Sequence, residues 1–187
     1  MEDKQVEELL AKGAISKTEY STDKFISNIF LVPKKNGKLR PVINLRQLNE
    51  FVEYHHFKQE NLKFVLDLVQ KFDYLTSVDL CDAYFSIQIH PEFQKYLCFS
   101  WKNQYYVFRV LPFGLASAPR MFTKLQKPVF TWLRHQGIRC CYYIDDSLCM
   151  NQDFNCCQKD TKIITDTLDQ LGFTINQEKS VLIPYHY

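Results

Sequence analysis

The sequence predicts an α+β fold in which helices back an antiparallel sheet, with a hairpin-rich extension on the N-terminal side. Short apolar runs bounded by turn residues are interspersed with stretches of helical periodicity. Asn36-Gly37, a strong hairpin signal, separates the apolar runs 25–32 and 39–43. The 187 residues are 46% apolar and 15% aromatic, which is enough for an ample core.

The first half of the chain is expected to hold a helix and several strands. Periodicity predicts a helix over 6–11, and a polar connector then runs through Asp23. The remaining predicted elements of this half are a helix over 62–69, a strand over 74–78, and strands at 97–99 and 105–110 joined by a turn at 102–103. Ile87 and Ile89 alternate with polar residues, which indicates a further strand there.

Two amphipathic helices dominate the second half. One opens at Ser117-Ala118-Pro119 and closes at Gly137, with Phe122, Leu125, Val129, Trp132 and Leu133 as its expected buried stripe. The other is capped by Asn151 or Asp153 and ends at Gly172, and its expected stripe is Cys157, Ile164, Leu168 and Leu171. Short strands are expected at 173–175 and 180–183.

Composition excludes several classes of protein. No apolar run approaches the length of a membrane span, and the charged N-terminus does not resemble a signal peptide, so we expect no membrane partner. The seven cysteines are odd in number, lack Cys-x-x-Cys spacing, and indicate reduced thiols in the cytoplasm or nucleus rather than a zinc site.

Basic residues cluster in two places although the net charge is only +2. Each cluster fits either a phosphate-binding surface or an ordinary solvated face, and the sequence leaves both open. The clusters are Lys34, Lys35, Lys38, Arg40 and Arg46, and, along one predicted helix, Arg120, Lys124, Lys127 and Arg134.

Three acids mark a candidate metal site. Asp145 and Asp146 lie in a tight turn between two apolar runs, and Asp79 ends another apolar stretch. Paired aspartates are common in surface turns, where they solvate well. If the two segments are neighbouring strands, however, the three carboxylates would converge at one edge of a sheet and suit a divalent cation.

The order of motifs resembles that of reverse transcriptases. Residues 31–49 resemble the first fingers motif, 77–85 the first catalytic motif, 111–119 the next motif, 143–146 the paired-aspartate motif and 172–179 the motif after it. Three details, Phe113, Ile144 and the stretch 172–180, resemble the retrotransposon type and in particular DIRS-like elements.

The resemblance implies a polymerase palm and fingers, and it implies a site for metal and nucleotide. Asp79, Asp145 and the carbonyl of Leu80 would hold two Mg²⁺ ions, for which Mn²⁺ could substitute, with Asp146 in support. Lys179 matches the lysine proposed to protonate the leaving pyrophosphate.

The deoxynucleotide pocket is implied in the same way. Lys35 and Arg40 match residues that contact the triphosphate, and Tyr84 matches the aromatic gate that excludes a ribose 2′-hydroxyl. The other pocket residues implied are Asp82, Ala83, Phe85 and Phe113.

The expected domain plan is an N-terminal helix and connector over 1–24, then interleaved fingers and palm over 25–187. The expected partners are an RNA or DNA template with its primer, deoxynucleotides, and the thumb and ribonuclease H domains of a retroelement polyprotein. Because the sequence stops before a primer grip and thumb, we expect a fragment with weak, salt-sensitive template binding.

Three alternatives compete with RNA-directed DNA polymerisation. A non-catalytic binding or interaction module derived from a polymerase predicts loss of the catalytic acids, which are present. A viral RNA-dependent RNA polymerase predicts a residue that accepts the 2′-hydroxyl in place of Tyr84. A purely structural α+β domain would require all five motifs to be coincidental.

Overall fold

The computed structural model describes residues 3–33 and 39–186. The fold is α+β, as predicted, and the chain divides into two compact units that alternate along the sequence. The first unit contains Met1–His55 and Tyr84–Ala118, and the second contains His56–Ala83 and Pro119–Tyr187. No helix in the described part of the chain has both the length and the apolar character that a membrane span needs.

The first unit contains a four-stranded sheet and a separate hairpin. Its elements are α1 (Asp3–Ala11), β1 (Ile15–Thr18), β2 (Ile26–Ser27), β3 (Ile29–Pro33), β4 (Leu39–Ile43), α2 (Arg46–Asn49), a 3₁₀ turn (Ala83–Ser86), α4 (Pro91–Gln94), β6 (Cys98–Trp101) and β7 (Gln104–Phe108). The strand order in the sheet is β1-β7-β6-β2, and β3 and β4 form the hairpin. Pairing is antiparallel except between β2 and β6.

The strand pairing predicted for both hairpins of this unit is confirmed, although the Asn36-Gly37 turn of the first lies outside the described residues. Strands β3 and β4 pair from Ile29 with Ile43 to Pro33 with Leu39. Strands β6 and β7 are joined at Lys102 and Asn103, whose φ angles of 47° and 61° are those of a tight turn that matches strand twist.

Two predictions for this unit are wrong. The supposed polar connector contains β1, because Ile15 is buried and the strand pairs with β7 despite its polar residues. The alternation at Ile87 and Ile89 does not form a strand. The chain there passes from the 3₁₀ turn to a single bridge between Gln88 and Val110, because alternation alone does not supply a continuous partner strand.

The second unit contains a four-stranded antiparallel sheet. Its elements are α3 (Leu62–Leu68), β5 (Tyr74–Asp79), α5 (Ala118–His135), β8 (Arg139–Tyr143), β9 (Asp146–Asn151), α6 (Phe154–Gln170) and β10 (Val181–His186). The strand order is β10-β5-β9-β8, and helix α6 packs against β5, β9 and β10. The strand expected at 173–175 reduces to one bridge between Leu80 and Ile175, since the following residues turn back toward Asp79.

Helix α5 buries only some of the residues that were predicted for its buried face. In α5, Phe122 and Leu133 are fully buried, but Leu125 and Trp132 are 44% and 49% exposed. The buried row instead follows i, i+4 spacing through Gln126 and Phe130. The expected stripe was therefore rotated away from the real one, because a glutamine in the core cannot be recognised from hydrophobicity.

Helix α6 is closer to expectation. Cys157, Ile164 and Leu168 are buried, whereas Leu171 is more than half exposed at the end of the helix. The cap is Asp153, whose carboxylate accepts a hydrogen bond from the backbone N–H of Cys156 at 2.8 Å.

Two arginine–carboxylate pairs fasten the second unit. Both guanidinium nitrogens of Arg139 donate to Asp73, at 2.6 and 2.8 Å, and Arg134 donates to both oxygens of Glu60. Burial of Asp73 acts to raise its pKa, but the hydrogen bonds from Arg139 and from the backbone N–H of Gln70, together with the charge of Arg139, outweigh burial and lower that pKa. These pairs hold the ends of α5 and β8 to the segments that precede β5.

Candidate active site

The three predicted acids lie at one end of the second sheet. Asp79 is the last residue of β5 and pairs in register with Asp146, the first residue of β9. Asp145 precedes it in the two-residue turn from β8, and its carbonyl accepts a hydrogen bond from the N–H of Leu80 at 2.9 Å. Asp79 and Asp146 therefore project from the same face of neighbouring strands.

The turn that carries Asp145 is strained. Ile144 adopts a φ of +54° at the first turn position, where a β-branched side chain is strongly disfavoured and glycine is usual. Such a conformation costs about 1–3 kcal/mol and persists only where the surrounding structure imposes it. Here the pairing of β8 with β9 up to Tyr143 and Asp146 imposes it. A strained turn at this point fixes the direction in which the two acids leave the sheet.

Asp79 is almost enclosed, with 8% of the residue exposed. Its Oδ1 accepts a hydrogen bond from the side-chain amide of Asn176 at 2.7 Å, and its Oδ2 accepts one from the ammonium of Lys179 at 3.2 Å. Its backbone N–H donates to the hydroxyl of Ser180 at 3.0 Å, and its carbonyl accepts from the N–H of Asn176 at 2.8 Å. One short segment thus holds both the main chain and the side chain of this acid.

The electrostatics of this end reflect crowded negative charge. Desolvation around its carboxylate, followed by repulsion from Asp145 and Asp79, raises the pKa of Asp146. Because the residue as a whole remains exposed, repulsion from the neighbouring carboxylates contributes more to this rise in pKa than desolvation does. The hydrogen bond to Asp79, assisted by the attraction of the three acids, raises the pKa of Lys179. Excess carboxylate charge is the environment that attracts a cation.

These residues fit a magnesium site in chemistry, but they do not form a closed one. Among residues 3–33 and 39–186, no three His, Cys, Asp or Glu side chains lie close enough together to chelate one ion. The expected convergence of three carboxylates is therefore looser than the sequence suggested. Mg²⁺ keeps water and phosphate oxygens among its ligands, so two carboxylates and a carbonyl are enough ligands from the protein.

An aromatic cluster in the first unit contains the other predicted residues. The ring of Phe113 lies 5.2 Å from that of Tyr84 and 5.8 Å from that of Phe85, centroid to centroid. The guanidinium of Arg40 lies over the Phe113 ring at 5.1 Å. Its Nε is buried and has no hydrogen-bond partner among the described residues. The cluster thus pairs a flat apolar wall with an incompletely satisfied cation.

The loop that carries Phe113 is held by its own unit. Gly114 has a φ of +99°, and a Cβ at that position would lie 3.2 Å from the carbonyl oxygen of Ile43. Asn49 binds both sides of this loop: its amide donates to the carbonyl of Gly114 at 2.9 Å, and its oxygen accepts from the N–H of Ala116 at 2.8 Å. Only glycine fits this backbone without displacing β4.

Other predicted residues have simpler outcomes. Lys35 lies outside the described residues. Leu80 and Ala83 are buried, and Asp82 has a φ of +45°, so this stretch makes a sharp turn directly after Asp79. On α5, Lys124 and Lys127 are exposed, whereas Arg134 pairs with Glu60 and is structural rather than open to phosphate.

Sequence reasoning missed three residues that hold the site. Asn49, Asn176 and Ser180 all lie inside recognised motifs, but none was given a role. Their only signal in the sequence is that each is a small polar residue next to a motif residue. That signal is weak, because such residues usually form hydrogen bonds with nearby backbone in a turn. Their long-range partners depend on the fold.

Comparison with known proteins gives consistent results. The family model described as reverse transcriptase (RNA-dependent DNA polymerase) matches residues 32–187. The chain is 28% identical over 183 residues to a retrovirus-related Pol polyprotein from transposon opus of Drosophila melanogaster, covering 95% of this chain and 18% of that protein. It is 29% identical to the enzymatic polyprotein of soybean chlorotic mottle virus, covering 96% of this chain and 26% of the relative. It therefore spans about a fifth to a quarter of the length of these relatives.

A solved structure agrees in fold. The foamy viral protease–reverse transcriptase in complex with double-stranded DNA superposes with a TM-score of 0.86 at 23% identity, covering 97% of this chain and 31% of that one. The DIRS-like subtype stays a prediction. The region matched by the reverse transcriptase family model covers most of the sequence. It includes the acids at the ends of β5 and β9, the aromatic cluster and the segment that binds Asp79. The chain belongs to the reverse transcriptase family, whose members include retrotransposon and viral Pol polyproteins.

Proposed function

We propose that this chain is the fingers and palm of an RNA-directed DNA polymerase that adds deoxynucleotides to a primer 3′-hydroxyl. One observation carries the proposal: Asp79 and Asp146 are paired across adjacent strands, with Asp145 in the turn between β8 and β9. Family membership supports the same reaction.

Asp79 and Asp145, with the carbonyl of Leu80, would hold two Mg²⁺ ions, for which Mn²⁺ could substitute, and Asp146 would support them. When bound, the ions neutralise phosphate charge and activate the primer 3′-hydroxyl for in-line attack on the α-phosphate. The raised pKa of Asp146 supports this assignment, because crowded carboxylates favour a bound cation.

The remaining site residues would act on the nucleotide. Arg40 and Lys35 would bind the triphosphate, a role that suits a guanidinium and an ammonium group. Lys179 would give a proton to the leaving pyrophosphate, since the hydrogen bond to Asp79 raises its pKa and keeps it protonated.

Tyr84, packed against Phe113, would exclude the 2′-hydroxyl of a ribonucleotide by shape. Phe85 would line the same pocket. Asp82 and Ala83 would contact the nucleotide mainly through their backbone. These roles make the site specific for deoxynucleotides.

The partners proposed are a primed RNA or DNA template and the other domains of a retroelement polyprotein, among them a thumb and a ribonuclease H. The foamy viral neighbour in complex with double-stranded DNA supports nucleic acid as a partner, and the polyprotein relatives support further domains. The proposed setting is the interior of a cell, in cytoplasm or nucleus.

The test is incorporation of one labelled deoxynucleotide on a primed RNA template with Mg²⁺. Asp145→Asn should reduce the rate about a thousandfold, the scale on which removal of one transition-state contact acts. Asp169→Asn, the same change at an exposed position on α6, is the matched control and should leave the rate unchanged. Equal incorporation by the parent and Asp145→Asn would overturn the proposal in favour of a non-catalytic binding module.

A further inference from the structure

The segment that follows Gly172 binds one catalytic acid with two different side chains. Asn176 donates to Oδ1 of Asp79 at 2.7 Å, and Lys179 donates to Oδ2 at 3.2 Å. Both donors come from a single turn, in which the N–H groups of Lys179 and Ser180 bond to the carbonyl of Asn176. The two carboxylate oxygens therefore have different partners: a neutral amide and a cation.

Asn176 is fixed to Asp79 through its main chain as well as its side chain. Its N–H donates to the carbonyl of Asp79 at 2.8 Å, and two neighbouring contacts secure the same strand end: Cys81 N–H to the carbonyl of Thr174 at 2.8 Å, and Asp79 N–H to Ser180 Oγ at 3.0 Å. An amide held in this way sets the orientation of the carboxylate without adding charge.

Lys179 differs in being exposed and long. Its side chain is 65% exposed, against 12% for that of Asp79. An exposed ammonium on a flexible stem can leave its partner at little cost, since pairs of this kind contribute little stability. It nevertheless supplies the only positive charge bound to Asp79 among the described residues.

We infer that Asn176 is the positioning residue for Asp79 and that Lys179 is a placeholder cation, which leaves when a divalent ion binds the same carboxylate. Two cations cannot share Oδ2 closely without strong repulsion, whereas the Asn176 bond to Oδ1 is compatible with a bound ion. The inference rests on the proposed function and deepens it, because release of Lys179 would free it to approach the phosphates.

The two roles predict opposite effects on metal affinity. Loss of Asn176 leaves Asp79 poorly oriented, and loss of such supporting partners costs about tenfold or more in affinity. Loss of the Lys179 charge removes a competitor and should tighten binding about fivefold, the size of a weak surface ion pair. A merely structural role for the turn would lower affinity in both variants.

The experiment measures Mn²⁺ affinity by the electron paramagnetic resonance signal of free Mn²⁺, without nucleotide or template. We expect Lys179→Met to bind more tightly and Asn176→Ala more weakly than the parent. Lys162→Met is the matched control, because it breaks an exposed lysine–aspartate pair with Asp166 on α6 and should leave affinity unchanged.

The outcomes separate this inference from the proposed function. If Asp79→Asn binds Mn²⁺ as well as the parent, the proposed metal site itself fails. If Asp79→Asn abolishes binding while Lys179→Met fails to tighten it, only the placeholder role is overturned. Because Lys179 is exposed, its variant remains informative even if circular dichroism shows that Asn176→Ala is unfolded.

Discussion

The acid-bearing end of the second unit and the aromatic cluster of the first are held by different forces. Asp79 is hydrogen-bonded to three polar side chains, those of Asn176, Lys179 and Ser180. The rings of Tyr84 and Phe113 pack against each other, with their centroids 5.2 Å apart. Hydrogen bonds can be altered one at a time with little loss of buried apolar surface, but removing a ring leaves a cavity. Chemistry and stability should therefore separate at the acids and change together at the aromatic cluster.

The largest expected effect lies at the acids. Asp79→Asn should lower single-nucleotide incorporation about a thousandfold, because the amide is neutral and binds a divalent cation poorly. The shape of the residue is kept, so far-ultraviolet circular dichroism and the melting temperature should stay close to those of the parent. A variant that lost activity only by unfolding would break the proposed separation.

The aromatic cluster should behave in the opposite way. Tyr84→Ala should reduce discrimination against ribonucleotides about a hundredfold in kcat/KM and also lower the free energy of unfolding by about 3 kcal/mol, since Tyr84 is buried. Competition between deoxy- and ribonucleotides, with urea unfolding, measures both.

Tyr84→Phe is the control, because it keeps the ring and should preserve the discrimination against ribonucleotides. Unchanged sugar discrimination in Tyr84→Ala would refute the gate. A change in discrimination with no loss of stability would refute the link between packing and selectivity.

A third prediction concerns pH and the Asp73–Arg139 pair. Asp73 has a lowered pKa in the folded chain, so its ionised form contributes stability at neutral pH. That contribution is lost as the pH falls below the usual aspartate range and through the lowered pKa. Asp73→Asn should therefore cost about 2 kcal/mol at pH 7, and the difference from the parent should shrink in acid. Urea unfolding between pH 7 and 3 measures this difference, and a gap that widened in acid would contradict the assignment.

The smallest expected effect is a gain in stability. The raised pKa of Asp146 means that the folded chain disfavours its charge, so removing that charge should help at neutral pH. Asp146→Asn should raise the melting temperature by about 1–2 °C at pH 7. The gain should vanish as the pH falls through the raised pKa, where the parent is itself protonated. Calorimetry at two pH values provides the measurement, and an equal gain at both would exclude charge repulsion as the cause.

The sequence predicted those parts of the fold that local patterns determine. Strand β5 ending at Asp79, the β3–β4 pairing and the cap at Asp153 all follow from apolar runs and turn residues. Strand β1 escaped prediction because its partner, β7, is remote in sequence. The buried face of α5 escaped because Gln126 occupies a core position.

The same distinction holds at the site. Asp79, Asp145 and Asp146 were visible as motif residues, but whether they lie together depends on the register of β5 with β9. The contacts of Asn176 and Lys179 with Asp79 join residues about a hundred positions apart, and no local pattern reports such a bond. Sequence therefore reveals which groups can act, and the fold reveals what holds them.

The most direct test of the account is to locate the cations. Crystals of the chain soaked with Mn²⁺ and a deoxynucleotide should show anomalous scattering within about 2.0–2.3 Å of carboxylate oxygens of Asp79 and Asp145, with Lys179 withdrawn from Asp79 and Asn176 still bonded to it. Anomalous density confined to other acids, with the Lys179–Asp79 pair intact beside a bound nucleotide, would contradict it.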